Sequence, residues 1–274
     1  ILLLFPDAFD PKDREILFVR ETSPTIAIWE GAKLSQEQAR NMSGVATVLW
    51  TSSYEATIKR LLPQAGLLYL NSNEHLRQSN EVETREERKN KELRAQYPLH
   101  GVRRSAPIMH RVRSRKTREE VEQIKRAIAI TAKAFQRVLH FLEPGVKEYE
   151  VEAEITHEFI RNGSRGHAYT PIIGGGFNAC VLHYITNEDT CRDGEVVLMD
   201  FGCEYGNYAS DLTRSVPVNG TFTPRQRAVY NAVLHVQKEA TKLLVPGVFL
   251  ADYHRQVGTL MEEQLIALGL LDKK

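Results

Sequence analysis

Asp200 and Asp211 are the two residues whose type and spacing most directly suggest chemistry. Asp200 ends an apolar run that begins at Val196. Asp211 lies in a second extended run, Tyr208 to Val218, and Tyr205-Gly206-Asn207 separates the two. β-Branched and aromatic residues on both sides of a Gly/Asn turn predict a β-hairpin. With the turn centred on Tyr205 and Gly206, pairing sets Asp200 directly opposite Asp211. Cross-strand partners have Cβ atoms about 4.5–5.5 Å apart, and like charges at that distance repel. The pair is tolerable if a cation lies between the acids or if one acid keeps a proton. Hard divalent cations prefer carboxylate oxygens, so a metal site is the simplest expectation. The plainer alternative is a solvent-facing hairpin with two ordinary acids. The run that ends at Asp200 reads as a fully buried strand, which argues for the site.

The rest of the composition limits the other classes. The chain has 274 residues, is 42% hydrophobic and 26% charged, and carries a net charge of +1, an ordinary globular profile for one large domain or two smaller ones. That charge gives no reason to expect nucleic acid or a membrane surface. No apolar run approaches the roughly 20 residues that span a bilayer. Leu2-Leu3-Leu4-Phe5 is too short for a secretory signal and has no basic segment before it. The three cysteines, Cys180, Cys191 and Cys203, form no Cys-x-x-Cys pair. A zinc–thiolate site is therefore not expected, and the sparse set suits a reducing cytoplasm. The chain begins without Met and ends just after a helix, and both ends read as cuts.

These acids need a frame. Residues 1 to about 70 alternate short apolar runs with turns: strands at Ile1–Phe5, Ile16–Val19, Thr25–Trp29, Ala46–Trp50 and Gly66–Leu70, helices at Ser35–Met42 and Tyr54–Leu62. That is a small α/β domain. Glu74–Gln96 is dense in charge and reads as a solvated helix or a mobile connection. Arg103–Arg118 reads as a basic interdomain linker, without the interleaved aromatics of a nucleic-acid surface. Thr117-Arg118-Glu119-Glu120 then matches a capping box, and Val121, Ile124, Ile128, Phe135 and Val138 follow at helical spacing. A second helix runs from about Glu148 to Arg161. Extended segments are expected at His167–Ile173 and Ala179–Tyr184, on either side of Gly174-Gly175-Gly176. That triple glycine lacks the Lys-Ser/Thr ending of a phosphate loop. After the hairpin, Pro224 starts a helix to about Leu244, and another runs from about Asp252 to Leu268.

Phe141-Leu142-Glu143-Pro144-Gly145-Val146 has a counterpart in Leu243-Leu244-Val245-Pro246-Gly247-Val248. A helix–Pro-Gly–helix unit therefore occurs twice. In the first copy, strands bearing His183, Asp200 and Asp211 follow. In the second, the sequence stops where such strands would begin.

Val197-Leu198-Met199-Asp200-Phe201-Gly202-Cys203-Glu204-Tyr205, with Tyr208-Ala209-Ser210-Asp211-Leu212-Thr213-Arg214 and Pro217-Val218-Asn219-Gly220, closely resembles the metal-binding hairpin of Xaa-Pro aminopeptidases (aminopeptidase P). These belong to the pita-bread metallopeptidases. Leu182-His183-Tyr184 resembles the segment that carries the family's substrate-contacting histidine. Ile28-Trp29-Glu30-Gly31 resembles the Trp-x-Gly element of the creatinase-like first domain. The resemblance implies an α+β chain: an incomplete creatinase-like α/β N-terminal domain with a charged linker over 1–110, then the first half of a pita-bread catalytic domain over 111–274.

It also implies two manganese ions per complete site, with zinc or cobalt as alternatives. Two aspartates, one histidine and two glutamates hold them, and a bridging hydroxide attacks the bond before proline. By position, Asp200 would bind one metal and Asp211 would bridge both. His183 would contact the substrate near the scissile amide as a catalytic and binding residue. Read without the resemblance, His183 is a turn histidine bonded to backbone. Trp29 would help wall the active site of a neighbouring subunit and contact its substrate, or lie in its own domain's core. The expected partners are peptides with proline second, in a homodimer or homotetramer. The family's ligand histidine and both glutamates have no match after Asp211; His235 and His254 fall on helices. By this resemblance the sequence would carry two of the five ligands, Asp200 and Asp211, and is expected to be either a fragment of a complete enzyme or incompetent alone. The rivals are a prolidase-type dipeptidase and a non-catalytic pita-bread binding module. Metal-free, creatinase-like hydrolysis is disfavoured by the retained acids.

Overall fold

The computed structural model describes residues 1–74 and 82–272. The chain divides into two compact units, Ile1–Arg115 and Lys116–Lys274.

In the first unit, β1 (Leu2–Leu4) pairs antiparallel with β2 (Glu15–Val19). Helices α1 (Pro24–Glu30) and α2 (Gln36–Ser43) follow, and β3 (Thr47–Trp50) lies parallel to β2. Helix α3 (Tyr54–Leu61) leads to β4 (Leu67–Leu70). Ile16, Phe18 and Leu61 form the small core. Arg60 donates to both carboxylate oxygens of the nearly buried Asp13, at 2.5 and 2.7 Å. Of the charged stretch 74–96, residues 85–96 form α4 (Arg85–Gln96), while 75–81 lie outside the described residues. The basic segment expected as a linker is built into this unit. Its first two residues end β5 (Gly101–Arg104), which is parallel to β4, and it supplies α5 (Ala106–Ser114).

Thr25–Trp29, expected as a strand, is helix α1. The Ser23 hydroxyl accepts from the Ile26 N–H and Pro24 occupies the first turn, a start signal that outweighs the β-branched composition.

The second unit opens with α6 (Arg118–Phe141), capped by the reciprocal Thr117–Glu120 bonds that the sequence predicts. Helix α7 (Glu148–Arg161) packs along it. Strands β6 (Gly166–His167), β7 (Ile172–Gly175), β8 (Val196–Phe201), β9 (Cys203–Tyr205), β10 (Tyr208–Ala209) and β11 (Leu212–Pro217) follow, then α8 (Pro224–Leu243) and α9 (Leu250–Ala267). The strands form two three-stranded sheets, β11-β8-β7 and β10-β9-β6. The core between helices and sheets holds Ile130, Val138, Ile155, Phe159, Val197, Met199 and Phe201. The doubled Pro-Gly element joins α6 to α7 and α8 to α9, and Gly145 and Gly247 both take positive φ (102° and 94°).

Two expectations fail here. Ala179–Tyr184 is no strand. Gly174 and Gly175 end β7, a 3-10 turn over Gly176–Cys180 follows, and the chain then runs as an exposed loop. The run before Asp200 is not buried on both faces. Val197, Met199 and Phe201 are buried, whereas Val196, Leu198 and Asp200 are half-exposed, the alternation of a strand with one covered face. The half-exposed face borders a groove of about 680 Å³ lined by Val196, Leu198, Thr213, Phe222 and Tyr230.

Candidate functional site

The hairpin forms, but in a different register. Tyr205 pairs with Tyr208, so the turn centres on Gly206 and Asn207, whose φ values are 59° and 66°. A two-residue type I′ turn needs positive φ at both central positions, which glycine and asparagine tolerate and tyrosine does not. Asp200 therefore lies opposite Thr213, not Asp211. With Ala209 opposite Glu204 and Leu212 opposite Phe201, Asp211 falls across from Gly202. The register moves by two residues, and an even shift leaves every side chain on its original face. The two acids remain on one face as diagonal neighbours.

The ribbon is broken at this level. A Cβ on Gly202 would lie 1.8 Å from the carbonyl oxygen of Ser210, so only glycine permits that approach. The Ser210 N–H still donates to the Cys203 carbonyl at 3.0 Å. The Cys203 N–H does not reach the Ser210 carbonyl; it donates to Ser210 Oγ at 2.9 Å and to Thr131 Oγ1 at 3.1 Å. Those two hydroxyls are 2.6 Å apart, and both residues are buried. One polar cluster thus replaces a ladder bond and lets the hairpin pass from one sheet to the other. Asp211 sits at that kink. Tyr208 Oη donates to Glu120 Oε1 at 2.7 Å, so the N-terminal part of α6 holds the hairpin tip.

Tyr169 completes the arrangement. It lies between β6 and β7, where the Ala168 N–H donates to the Gly202 carbonyl at 2.8 Å. Its hydroxyl is 2.6 Å from Asp200 Oδ1 and 3.0 Å from Asp211 Oδ1. A phenol has a single proton to share, so the two carboxylates compete for it. Burial pushes the Tyr169 pKa upward, and the hydrogen bonds and charges of Asp200 and Asp211 push it further. The residue stays a neutral donor. Sequence reading missed Tyr169, because a lone tyrosine 31 positions before Asp200 carries no local signal.

The remaining candidates lie elsewhere. His183 is exposed on the loop after the 3-10 turn, and no hydrogen bond or ion pair joins it to Asp200 or Asp211 among the described residues. Trp29 is in the first unit, on α1, with 83% of its surface exposed, so it is not part of a domain core. His235 and His254 lie on α8 and α9. Among the described residues no group of three or more His, Cys, Asp or Glu side chains could hold a metal ion. Asp200 and Asp211 suit a divalent cation in chemistry and convergence, but two carboxylates supply too few donors for a closed coordination shell. No described helix is long and apolar enough to cross a membrane.

Residues 122–273 match the model of metallopeptidase family M24, and residues 1–69 match that of the aminopeptidase P N-terminal domain. The Xaa-Pro aminopeptidase of Escherichia coli K12 is 36% identical over 263 residues, covering 96% of this chain and 60% of that protein. A putative aminopeptidase P structure from Bacillus anthracis superposes with a TM-score of 0.89 at 33% identity, covering 94% of this chain and 62% of that one. Zinc-substituted E. coli aminopeptidase P in complex with product gives a TM-score of 0.81 at 33% identity, over 95% of this chain and 59% of that one. The chain therefore spans about three fifths of the length of these relatives. The expected α+β architecture, a creatinase-like first domain followed by a pita-bread half, agrees with these matches.

Proposed function

The chain belongs to metallopeptidase family M24, and from that premise we propose that it is part of a metal-dependent aminopeptidase removing an N-terminal residue that precedes proline. The convergence of Asp200 and Asp211 on one phenolic oxygen supports this reading best. Two carboxylates that share a single proton donor make an anionic pocket that a divalent cation would neutralise. Asp200 and Asp211 would hold the ions, manganese in the first instance, as two members of a larger ligand set. Bound there, such ions would lower the pKa of a water and polarise the scissile carbonyl. Tyr169 orients Asp200 and keeps its own proton. His183 contacts the substrate near the scissile amide, and Trp29 helps wall the substrate-binding site of a neighbouring subunit. Proline has no amide N–H and a fixed φ, so a bond before it requires a dedicated pocket. We place the protein in the cytoplasm as a homodimer or homotetramer, with catalytic residues in a domain over 111–274.

The test uses the full-length protein with manganese. A tripeptide with proline second should lose its first residue, and a chelator should abolish the activity. Cleavage of Xaa-Pro dipeptides alone would make it a prolidase. Fewer than one bound ion per chain with no hydrolysis would make it a binding module.

A further inference from the structure

The loop that carries His183 has little apolar anchorage. Phe177, Val181, Leu182 and Ile185 are all exposed. It is held by a carboxylate from below. Glu148 opens α7 and has no exposed surface. Its Oε1 accepts from the Gly175 N–H at 2.8 Å and from Asn178 Nδ2 at 3.1 Å. Its Oε2 accepts from Tyr184 Oη at 2.7 Å and from the Asp189 N–H at 2.9 Å. The Glu148 N–H in turn donates to the Asp189 carbonyl at 3.0 Å.

A buried carboxylate is costly unless its lone pairs are filled, and here donors fill both oxygens. The N-terminus of α7 adds favourable partial charge. The donors bracket His183 in sequence, at 175, 178, 184 and 189, and one is its immediate neighbour. A second tie lies close by. Asn187, buried with φ 49°, accepts from the Ile173 N–H at 2.9 Å and donates to Glu152 Oε2 and the Pro171 carbonyl. The Tyr184 hydroxyl has its pKa raised by burial first and by its bond to Glu148 next, so it remains a donor.

We propose that Glu148 is a positioning residue: its buried carboxylate fixes the segment from Gly175 to Asp189 in one conformation and so aims His183 at the substrate. The aim at a substrate rests on the reading of His183 given above; the anchoring does not. Glutamine would not substitute, because its NH₂ would face two of the donors.

The experiment uses the full-length protein and three variants: Glu148→Gln, Tyr184→Phe and His183→Ala. Amide exchange across residues 176–189 should speed up by about tenfold or more in Glu148→Gln and in Tyr184→Phe, since a hydrogen bond to a charged group contributes at least that factor. Protection of α6 should be unchanged. On a tripeptide with proline second, Tyr184→Phe should lower kcat/KM by about tenfold, yet by less than about twofold when His183 is already alanine. Unchanged exchange overturns the anchoring. An equal loss of kcat/KM in the two backgrounds overturns the aim at His183 and leaves a purely structural carboxylate. If Glu148→Gln does not fold, Tyr184→Phe decides, since the other donors remain. If the wild type cleaves no bond before proline, the peptidase reading falls along with the aim, and exchange still decides whether Glu148 orders the segment.

Discussion

Asp200 and Asp211 are diagonal neighbours across a kinked hairpin, and both direct a carboxylate oxygen at the hydroxyl of Tyr169, at 2.6 and 3.0 Å. The two neighbouring acids share one proton donor, and whether a cation binds between them is the first thing to measure.

Replacing Asp211 with Asn in the full-length protein should weaken manganese binding and lower kcat/KM by at least about 100-fold, because loss of even an outer-shell partner costs 10–100-fold. The fold should persist. Metal content by mass spectrometry and peptide cleavage check it, and activity within a few-fold of wild type excludes a ligand role.

Tyr169→Phe removes the shared donor without changing the ring. The expected effect is about 10–100-fold on metal affinity or kcat/KM, the usual weight of a partner that orients a ligand. Titration with manganese, followed by calorimetry, reads it directly. Unaltered affinity would mean that the phenol merely fills space.

Gly202→Ala tests the kink. The added methyl would overlap the Ser210 carbonyl, so backbone must move. The expected loss is about 1–3 kcal/mol or more, the cost of overpacking. Urea unfolding measures it, and an unchanged midpoint would show that the two segments separate freely.

Thr131→Val examines the same kink from α6. It is close in shape but removes the hydroxyl that bonds to Ser210 Oγ and to the Cys203 N–H. Leaving buried groups without that partner should cost about 1–3 kcal/mol. Thr131→Ser should restore most of the loss.

His167 predicts a pH dependence. Its Nε2 bonds to Thr156 Oγ1 at 2.8 Å, while its buried Nδ1 has no partner among the described residues. Burial lowers its pKa, and the nearby charge of Glu152 opposes that only in part. As pH falls through the ordinary histidine value, the unfolded chain takes up a proton before the folded one does. This contribution to stability therefore declines, and the decline stops once the native ring also protonates. The urea midpoint should be lower at about pH 5 than at about pH 7.5, and His167→Gln should flatten part of that difference.

Periodicity and local capping rules identified the hairpin, the long helices of the second unit, the doubled Pro-Gly joint and the common face of Asp200 and Asp211. These depend on residues within a few positions of one another, and a period of two survives an even slip in register. The turn falls on Gly206 and Asn207 because tyrosine does not tolerate the positive φ that both central positions require, and Thr25–Trp29 is helical despite its β-branched and aromatic residues because Ser23 caps and Pro24 starts a helix there. Only tertiary structure decided the kink at Gly202, the arrival of Tyr169 and the docking of the His183 loop on Glu148. Each brings together groups far apart in the chain, Thr131 with Ser210 and Glu148 with Tyr184. No local pattern encodes such contacts, because the packing of helices on sheets sets which distant donor reaches which acceptor.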